Sequence, residues 1–286
     1  MPADRIRLTV DTRSSRRRIL ERMAIAFLAG GALVAPTGCR KRQGSVIQGR
    51  LFVHCAAVLR RPMTTIAQLF RASTGTRVDL QFGGSNTLLS QVQLTGMGDI
   101  YIAADESYLA MASRSGICDS AMTLGVLSPV LIHRRTGRTS IEGISDLLRP
   151  SLRVALAHPE QAAIGRVTRD LLRREGLWDA VLENVSTNGV FMPTVGSVAS
   201  AVALGSADVG VVWHSVAMQQ KELVAIADRR LGSHVSRVQA SVLNVTTNRI
   251  LAEEFLAFVR THPDSIDVLS GAGIQTVADA MHSVSA

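Results

Sequence analysis

Residues 51–109 read LFVHCAAVLRRPMTTIAQLFRASTGTRVDLQFGGSNTLLSQVQLTGMGDIYIAADESYL, in which short apolar runs alternate with amphipathic segments. The strand-like runs lie near residues 51–57, 77–82 and 99–104, and the first of them has the length and apolar composition of a strand that is buried on both faces. The segments between them carry apolar residues at helical spacing, and Thr74-Gly75 ends the first of them. This order of strands and helices predicts an α/β fold whose parallel sheet is covered by helices.

The remainder of the chain predicts a second unit of the same kind. Residues 126–133 form a β segment with Pro129 inside it, which favours a bend or an edge position and suits a crossing between two lobes. Beyond it, helices and strands alternate again, and an apolar β segment near residues 236–245 precedes two closing helices. We therefore predict two α/β lobes, each a mainly parallel sheet flanked by helices, joined by two crossover strands. Lobe 1 is predicted to comprise residues 50–127 and 239–286, and lobe 2 residues 128–238.

The positive charge of the chain is concentrated at its amino terminus. The formal net charge of the 286 residues is +8, and residues 1–38 hold seven arginines against three acidic residues, so this segment carries half of the excess. Only two of the 31 basic residues are lysines, and aromatic residues make up 4% of the chain. With neither zinc-ligand pairs nor a basic recognition helix, the sequence argues against nucleic-acid binding.

The amino terminus has the pattern of an export signal. Ser15-Arg16-Arg17-Arg18-Ile19-Leu20 resembles the twin-arginine signal, and the apolar stretch that follows, residues 23–34, is too short to span a bilayer. Ala35-Pro36-Thr37-Gly38-Cys39 then resembles a bacterial lipoprotein cleavage site. We predict a signal segment over residues 1–38, a lipid anchor on Cys39, a tether over residues 39–49 and a periplasmic location. A buried amino-terminal helix is the weaker interpretation, because three consecutive arginines suit a core badly.

The remaining cysteines and the motif content do not predict catalysis. An oxidising compartment would permit a bridge between Cys55 and Cys118, but Cys55 lies in an apolar strand, so we favour two buried thiols. His54 and Cys55 are neighbours on a strand and point to opposite faces, which makes a shared metal ion unfavourable. The sequence contains no GxSxG elbow, Walker loop or GxGxxG fingerprint. We therefore expect a protein that is not an enzyme.

A turn of small residues leads from a strand into a helix at four places, two in each half of the chain. These turns are Ala56-Ala57-Val58, Gly83-Gly84-Ser85-Asn86-Thr87, residues 157–165 and Pro193-Thr194-Val195-Gly196-Ser197. Each leaves backbone N–H groups unpaired at a helix start, where their partial positive charge suits an anion. An ordinary N-cap explains any single turn equally well. Four turns at the carboxyl ends of strands, where open α/β sheets bind ligands, favour an anion site.

Residues 51–109 resemble the first lobe of the periplasmic molybdate-binding proteins. In that family a strand ends in two alanines and a serine, a Phe-small-small-Ser-small-Thr-Leu turn follows, and a later strand ends in Ala-Asp. The second half is similar in Leu156-Ala157-His158-Pro159-Glu160, in Gly165, and in residues 208–213, which resemble a Gly-Ile-Val-Tyr strand. The resemblance extends from about Leu51 to Gly273. It implies a monomeric type II periplasmic binding protein without a cofactor, which captures a solute between two closing lobes and delivers it to an ABC permease.

The resemblance also implies which residues hold the ligand, a molybdate or tungstate oxyanion. Carried over position by position, the donors are the hydroxyl and N–H of Ser85, the backbone N–H groups of Val58, Ile164 and Val195, and the aromatic residue Trp213. Neutral donors and helix ends are sufficient to hold a dehydrated dianion, because several charge-assisted hydrogen bonds replace its hydration shell. The resemblance therefore requires no metal ion and no charged side chain at the site.

Two of these positions depart from the family pattern. Val58 stands where the family has a serine hydroxyl, and Trp213 offers an indole N–H where the family has a tyrosine hydroxyl. Gly84, Asn86 and Arg60 are auxiliary candidates, although an exposed arginine at a helix start is the simpler interpretation of Arg60. Two alternatives therefore stay open. One is another oxyanion or a small anionic solute in the same fold, and the other is a lipoprotein sensor or interaction module without tight oxyanion binding.

Overall fold

The computed structural model describes residues 49–136 and 140–276. The predicted signal segment over residues 1–38, the predicted lipidation site Cys39 and all of the tether except Gly49 lie outside the described residues. No helix among the described residues is long and apolar enough to cross a membrane.

The described chain alternates strands and helices through both halves. The strands are β1 (Arg50–Ala56), β2 (Arg77–Gly83), β3 (Ile100–Ala103), β4 (Met122–Leu127), β5 (Pro129–Arg134), β6 (Val154–Ala157), β7 (Val190–Met192), β8 (Val209–Trp213), β9 (Leu223–Ile226), β10 (Ser236–Val242) and β11 (Gln275–Thr276). The helices are α1 (Arg60–Thr74), α2 (Ser85–Thr95), α3 (Glu106–Arg114), α4 (Ala163–Arg174), α5 (Trp178–Asn188), α6 (Val195–Leu204), α7 (His214–Met218), α8 (Arg229–Gly232), α9 (Arg249–Thr261) and α10 (Pro263–Gly271). Two 3₁₀ turns lie at Ala57–Leu59 and Ile144–Leu148.

The strands form two separate sheets, one in each lobe. The sheet of lobe 1 has the order β11-β4-β10-β3-β1-β2, and that of lobe 2 has the order β7-β6-β8-β5-β9. β1 runs parallel to β2 and β3, and β6 runs parallel to β7 and β8. The described pairings of β4, β5 and β10 are antiparallel, so both sheets are mixed and not mainly parallel as predicted. The strands at the crossings produce this difference, because they run against their neighbours, while the two-lobed α/β architecture is confirmed.

The chain crosses between the lobes twice. Ser128 alone separates β4 of lobe 1 from β5 of lobe 2, so the crossing between lobes predicted near Pro129 is confirmed. An edge position is not, because β5 lies between β8 and β9. The return crossing, residues 227–235, is not an extended strand, because the Asp228 side chain accepts the N–H of Arg230 and caps the short helix α8. Pairing of β10 with β4 begins at Ser236, so the predicted boundary between residues 238 and 239 falls within β10.

Burial explains the first βα unit. Leu51, Val53 and Cys55 are fully buried in β1, which lies between β2 and β3. Helix α1 begins at Arg60, and Pro62 is its third residue. A proline is tolerated there because the N–H groups of the first helical turn have no partner within the helix. The helix ends at Gly75, whose φ of 77° is the left-handed conformation that favours glycine.

Cys55 and Cys118 are both free and buried, as predicted. Burial raises the pKa of the Cys55 thiol far above its ordinary value, while the positive charge of Arg60 lowers it only slightly. The Cys55 thiol therefore stays protonated and packs as a small apolar group at the carboxyl end of β1.

Candidate functional site

The four predicted turns meet around one cavity at the carboxyl ends of strands from both sheets. The residues that line the cavity are Ala56, Ala57, Val58, Gly83, Gly84, Ser85, Ala104, Ala162, Ala163, Ile164, Thr194, Val195 and Trp213. They include the first residues of α2, α4 and α6 and of the 3₁₀ turn that precedes α1. Helix starts from both lobes therefore surround the cavity, which suits a ligand of negative charge.

The cavity is small and its lining is neutral. Its volume is about 20 Å³, on a scale on which one water molecule occupies about 10–15 Å³. This leaves room for a solute of only a few heavy atoms. No lining residue is an acid or a base. The Thr194 hydroxyl is engaged with Ser197, so the polar groups available to a solute are backbone amides, the Ser85 hydroxyl and an indole N–H. Without carboxylates to balance a cation, this donor set favours a small anion.

Ser85 is the most firmly held polar residue of the lining. It is 1% exposed, and its Oγ accepts the N–H of Ala104 at 3.2 Å. The Tyr101 hydroxyl donates to the Ser85 carbonyl at 2.7 Å, and burial raises the pKa of Tyr101, which keeps this donor protonated. Because Oγ accepts from Ala104, its own proton is available to an acceptor in the cavity. Sequence reasoning missed Ala104, although its place directly after β3 was a usable signal.

Close packing positions the two helix starts of lobe 2. A Cβ atom on Gly165 would lie 2.3 Å from the carbonyl oxygen of Ala157, so only glycine lets the start of α4 rest against the end of β6. This contact brings Ile164 to the cavity. At α6, the Thr194 side chain accepts the N–H of Ser197 at 3.2 Å and caps the helix within the lobe. Val195, the first residue of α6, then lines the cavity.

The two positions that depart from the family pattern also reach the cavity. Val58 is 5% exposed and presents an aliphatic side chain at the position where the family has a serine hydroxyl. Trp213 ends β8 and is 1% exposed. Among residues 49–136 and 140–276, its indole N–H has no hydrogen-bond acceptor, so this donor remains available to a bound solute.

The structure therefore brings Val58, Ser85, Ile164, Val195 and Trp213 together, with Gly84 beside them.

Asn86 and Arg60 do not line the cavity, in contrast to their predicted auxiliary role. The Asn86 side chain donates to the Glu160 carbonyl of lobe 2 at 2.7 Å. The Arg60 guanidinium stacks on the ring of Phe82, 4.5 Å from the ring centre, and lies outside the cavity.

Four similarities to known proteins agree with this architecture. The family model for bacterial extracellular solute-binding proteins matches residues 51–264. The molybdate-binding protein ModA of Mycobacterium bovis is 28% identical over 213 residues, which are 73% of this chain and 78% of that protein.

Among solved structures, the periplasmic molybdate-binding protein of Azotobacter vinelandii has a TM-score of 0.67 at 22% identity and covers 78% of this chain and 98% of its own. The sulfate-binding protein SubI of Mycobacterium tuberculosis H37Rv has a TM-score of 0.67 at 17% identity and covers 81% of this chain and 88% of its own. These likenesses confirm the two-lobed type II periplasmic binding protein fold.

Proposed function

Because this chain belongs to the family of bacterial extracellular solute-binding proteins, we propose that it captures a molybdate or tungstate oxyanion between its lobes for an ABC importer. The family consists of solute-binding proteins and not of enzymes, in agreement with the motif content of the sequence. The solute would be bound at the cavity between the lobes and then released to a membrane permease.

The observation that carries the proposal is the convergence of helix starts from both lobes on a cavity without charged side chains. Aligned peptide dipoles place partial positive charge at these starts, which stabilises an anion without any lysine or arginine. The small volume of the cavity excludes sugars and peptides in this closed arrangement. A compact oxyanion satisfies both conditions.

Each proposed ligand residue supplies a donor of a stated kind. Ser85 offers its hydroxyl and N–H, Val58, Ile164 and Val195 offer backbone N–H groups, and Trp213 offers its indole N–H. Several such hydrogen bonds to a charged acceptor together replace the hydration shell that the oxyanion loses on closure. The likeness to a relative that is named a molybdate-binding protein supports this ligand.

A second oxyanion is a real competitor for the same cavity. Val58 lacks the hydroxyl that the family has at this position. The indole N–H of Trp213 replaces a tyrosine hydroxyl and lies at a different distance from the backbone. A protein named for sulfate binding shares the fold with the same TM-score as one named for molybdate binding. Sulfate is smaller than molybdate, so the size of the closed cavity would discriminate between them.

The location of the protein follows from the family and the amino terminus together. The family acts outside the cytoplasm. We propose that residues 1–38 direct twin-arginine export, that Cys39 carries a lipid anchor, and that the protein works as a monomer with an ABC permease as its partner. These assignments rest on the sequence pattern of residues 15–39.

A thermal-shift panel on the full chain tests the ligand. Molybdate, tungstate, sulfate, phosphate and vanadate are compared at equal ionic strength with sodium chloride as the control. A ligand at one hundred times its Kd adds about 2.7 kcal/mol to the free energy of unfolding, so molybdate and tungstate should raise the melting temperature by several degrees. A shift with sulfate alone would favour the second oxyanion, and no shift with molybdate or tungstate would refute the primary proposal.

A further inference from the structure

The start of α2 makes hydrogen bonds across the cleft. The backbone N–H groups of Asn86 and Thr87 donate to the Gln161 carbonyl of lobe 2, at 3.1 Å and 3.4 Å. The Asn86 side chain adds a third bond, from Nδ2 to the Glu160 carbonyl at 2.7 Å. Three donors of lobe 1 thus meet two carbonyl groups of lobe 2.

These donors are of the kind that a helix leaves unpaired. Asn86 and Thr87 are the second and third residues of α2, and first-turn N–H groups have no acceptor within their own helix. Gly84 precedes the helix and has no side chain with which to cap it. The acceptors that complete the helix start therefore come from the opposite lobe.

The segment of lobe 2 that accepts these bonds is braced from within its own lobe. The N–H groups of Gln161 and Ala162 both donate to the His158 carbonyl at 3.0 Å. The Glu160 N–H donates to Nδ1 of the His158 ring at 3.1 Å, and the His158 N–H donates to the Met192 carbonyl at 2.7 Å. Because the turn is held in this way, its carbonyl groups present a preformed acceptor to α2.

Gly84 allows the two backbones to come this close. A Cβ atom at this position would lie 2.2 Å from the Gln161 carbonyl oxygen and 3.2 Å from that of Pro193. Both atoms belong to lobe 2. The φ and ψ angles of Gly84, −66° and 144°, are ordinary for any residue. An alanine here is therefore compatible with lobe 1 by itself and incompatible with full closure.

We propose that Gly84, Asn86 and Thr87 form a closure latch, which fastens lobe 1 to Glu160 and Gln161 and sets the rate at which a bound solute is released. Ser85, between them in sequence, faces the cavity, whereas Asn86 and Thr87 do not line it and act on the ligand only through closure. The latch itself follows from contacts between the lobes, and only the use of molybdate as a probe rests on the proposed function.

Amide hydrogen exchange by NMR on the full chain tests the latch without a ligand. First-turn amides normally exchange rapidly, so protection of Asn86 and Thr87 is a specific sign of the bonds to Gln161. We expect both amides to be protected in the native protein and to lose that protection in Gly84→Ala. Amides in the last turn of α2 should be unchanged, which shows that the helix is intact. Equal exchange of Asn86 and Thr87 in the two proteins would overturn the proposal.

Stopped-flow binding of molybdate then tests the effect on release. Asn86→Ala removes one bond across the cleft, and we expect about tenfold faster dissociation with an unchanged association rate. The matched control is Asn188→Ala, because the Asn188 side chain donates to the Pro150 carbonyl at 3.1 Å within lobe 2. An equal effect of both variants on dissociation would show that Asn86 has only a structural role. If molybdate fails to bind the native protein, the ligand assignment fails, and the exchange experiment still decides the latch.

Discussion

The starts of α2 and α6 both lie at the cavity, but they are completed in different ways. Thr194 caps α6 from within lobe 2, because its side chain accepts the N–H of Ser197 and also bonds to the Ser197 hydroxyl at 2.9 Å. Gly84 provides no such cap for α2, and the free N–H groups there donate to Gln161 across the cleft. The start of α6 is therefore capped from within its own lobe, whereas the N–H groups of Asn86 and Thr87 at the start of α2 have acceptors only when the lobes meet.

This difference assigns different parts to the two lobes. A start capped from within keeps its geometry whether the cleft is open or closed, so the α6 side can present a fixed N–H group to the solute. A start completed from across the cleft gains hydrogen bonds on closure, which couples lobe movement to the side that carries the Ser85 hydroxyl. Lobe 2 acts as the fixed template, and the start of α2 responds to closure.

The largest expected effect comes from removing the Ser85 hydroxyl at the start of α2. Ser85→Ala deletes a donor to a buried charged ligand, which is worth about 1.5–3 kcal/mol, so the Kd for molybdate should rise about 10- to 150-fold. Titration calorimetry measures this change. The matched control is Ser197→Ala on the α6 side, because the Ser197 hydroxyl bonds to Thr194 and does not line the cavity. Equal losses in both variants would abolish the distinction between the two helix starts.

The start of α3 differs from both, because its cap is a charged side chain. Asp105 caps α3 by accepting the N–H of Ser107 at 3.0 Å, and it also accepts the hydroxyl of Ser236 at the start of β10. Burial raises the pKa of Asp105, but the His234 ring at 3.9 Å and the bonds from Ser107 and Ser236 outweigh burial and lower the pKa to about 2.

A lowered carboxyl pKa stabilises the folded state above the unfolded pKa of about 4, and this stability is lost as the pH falls toward 2. We expect Asp105 to contribute about 2 kcal/mol to the free energy of unfolding at pH 6 and almost none at pH 2. Urea unfolding of the native protein and Asp105→Asn across this range measures the difference. If the two proteins lose stability in parallel, the carboxyl group of Asp105 is not responsible.

The contrast between the helix starts also shows how much the sequence can predict. Ser85 and Gly84 were recognised because the turn around them is a local pattern of small residues between a strand and a helix. β8 lies within residues 208–213, where a strand was expected, and all its residues are buried and form an uninterrupted apolar run. Local signals of this kind determined the two-lobed fold and most of the cavity lining.

Features that depend on how the lobes meet had no such signal. Asn86 and Gln161 lie far apart in the sequence, and their bond depends on the relative position of two separate sheets. The strand β9 was missed for a related reason, since it is short, only partly buried, and formed by pairing with the distant strand β5. The bond between Asn86 and Gln161 and the strand β9 therefore depend on pairing between segments that are distant in the sequence, and the residue types alone do not predict them.

The smallest expected effect tests the cap of α6. Thr194→Ala removes the acceptor of the Ser197 N–H and should lower the free energy of unfolding by about 1 kcal/mol, as the loss of an N-cap does. Because this cap acts within lobe 2, the loss should be the same with and without molybdate, and thermal unfolding in both conditions measures it. A loss that appears only with molybdate would show that α6, like α2, is completed on closure, and lobe 2 would then not be the fixed template.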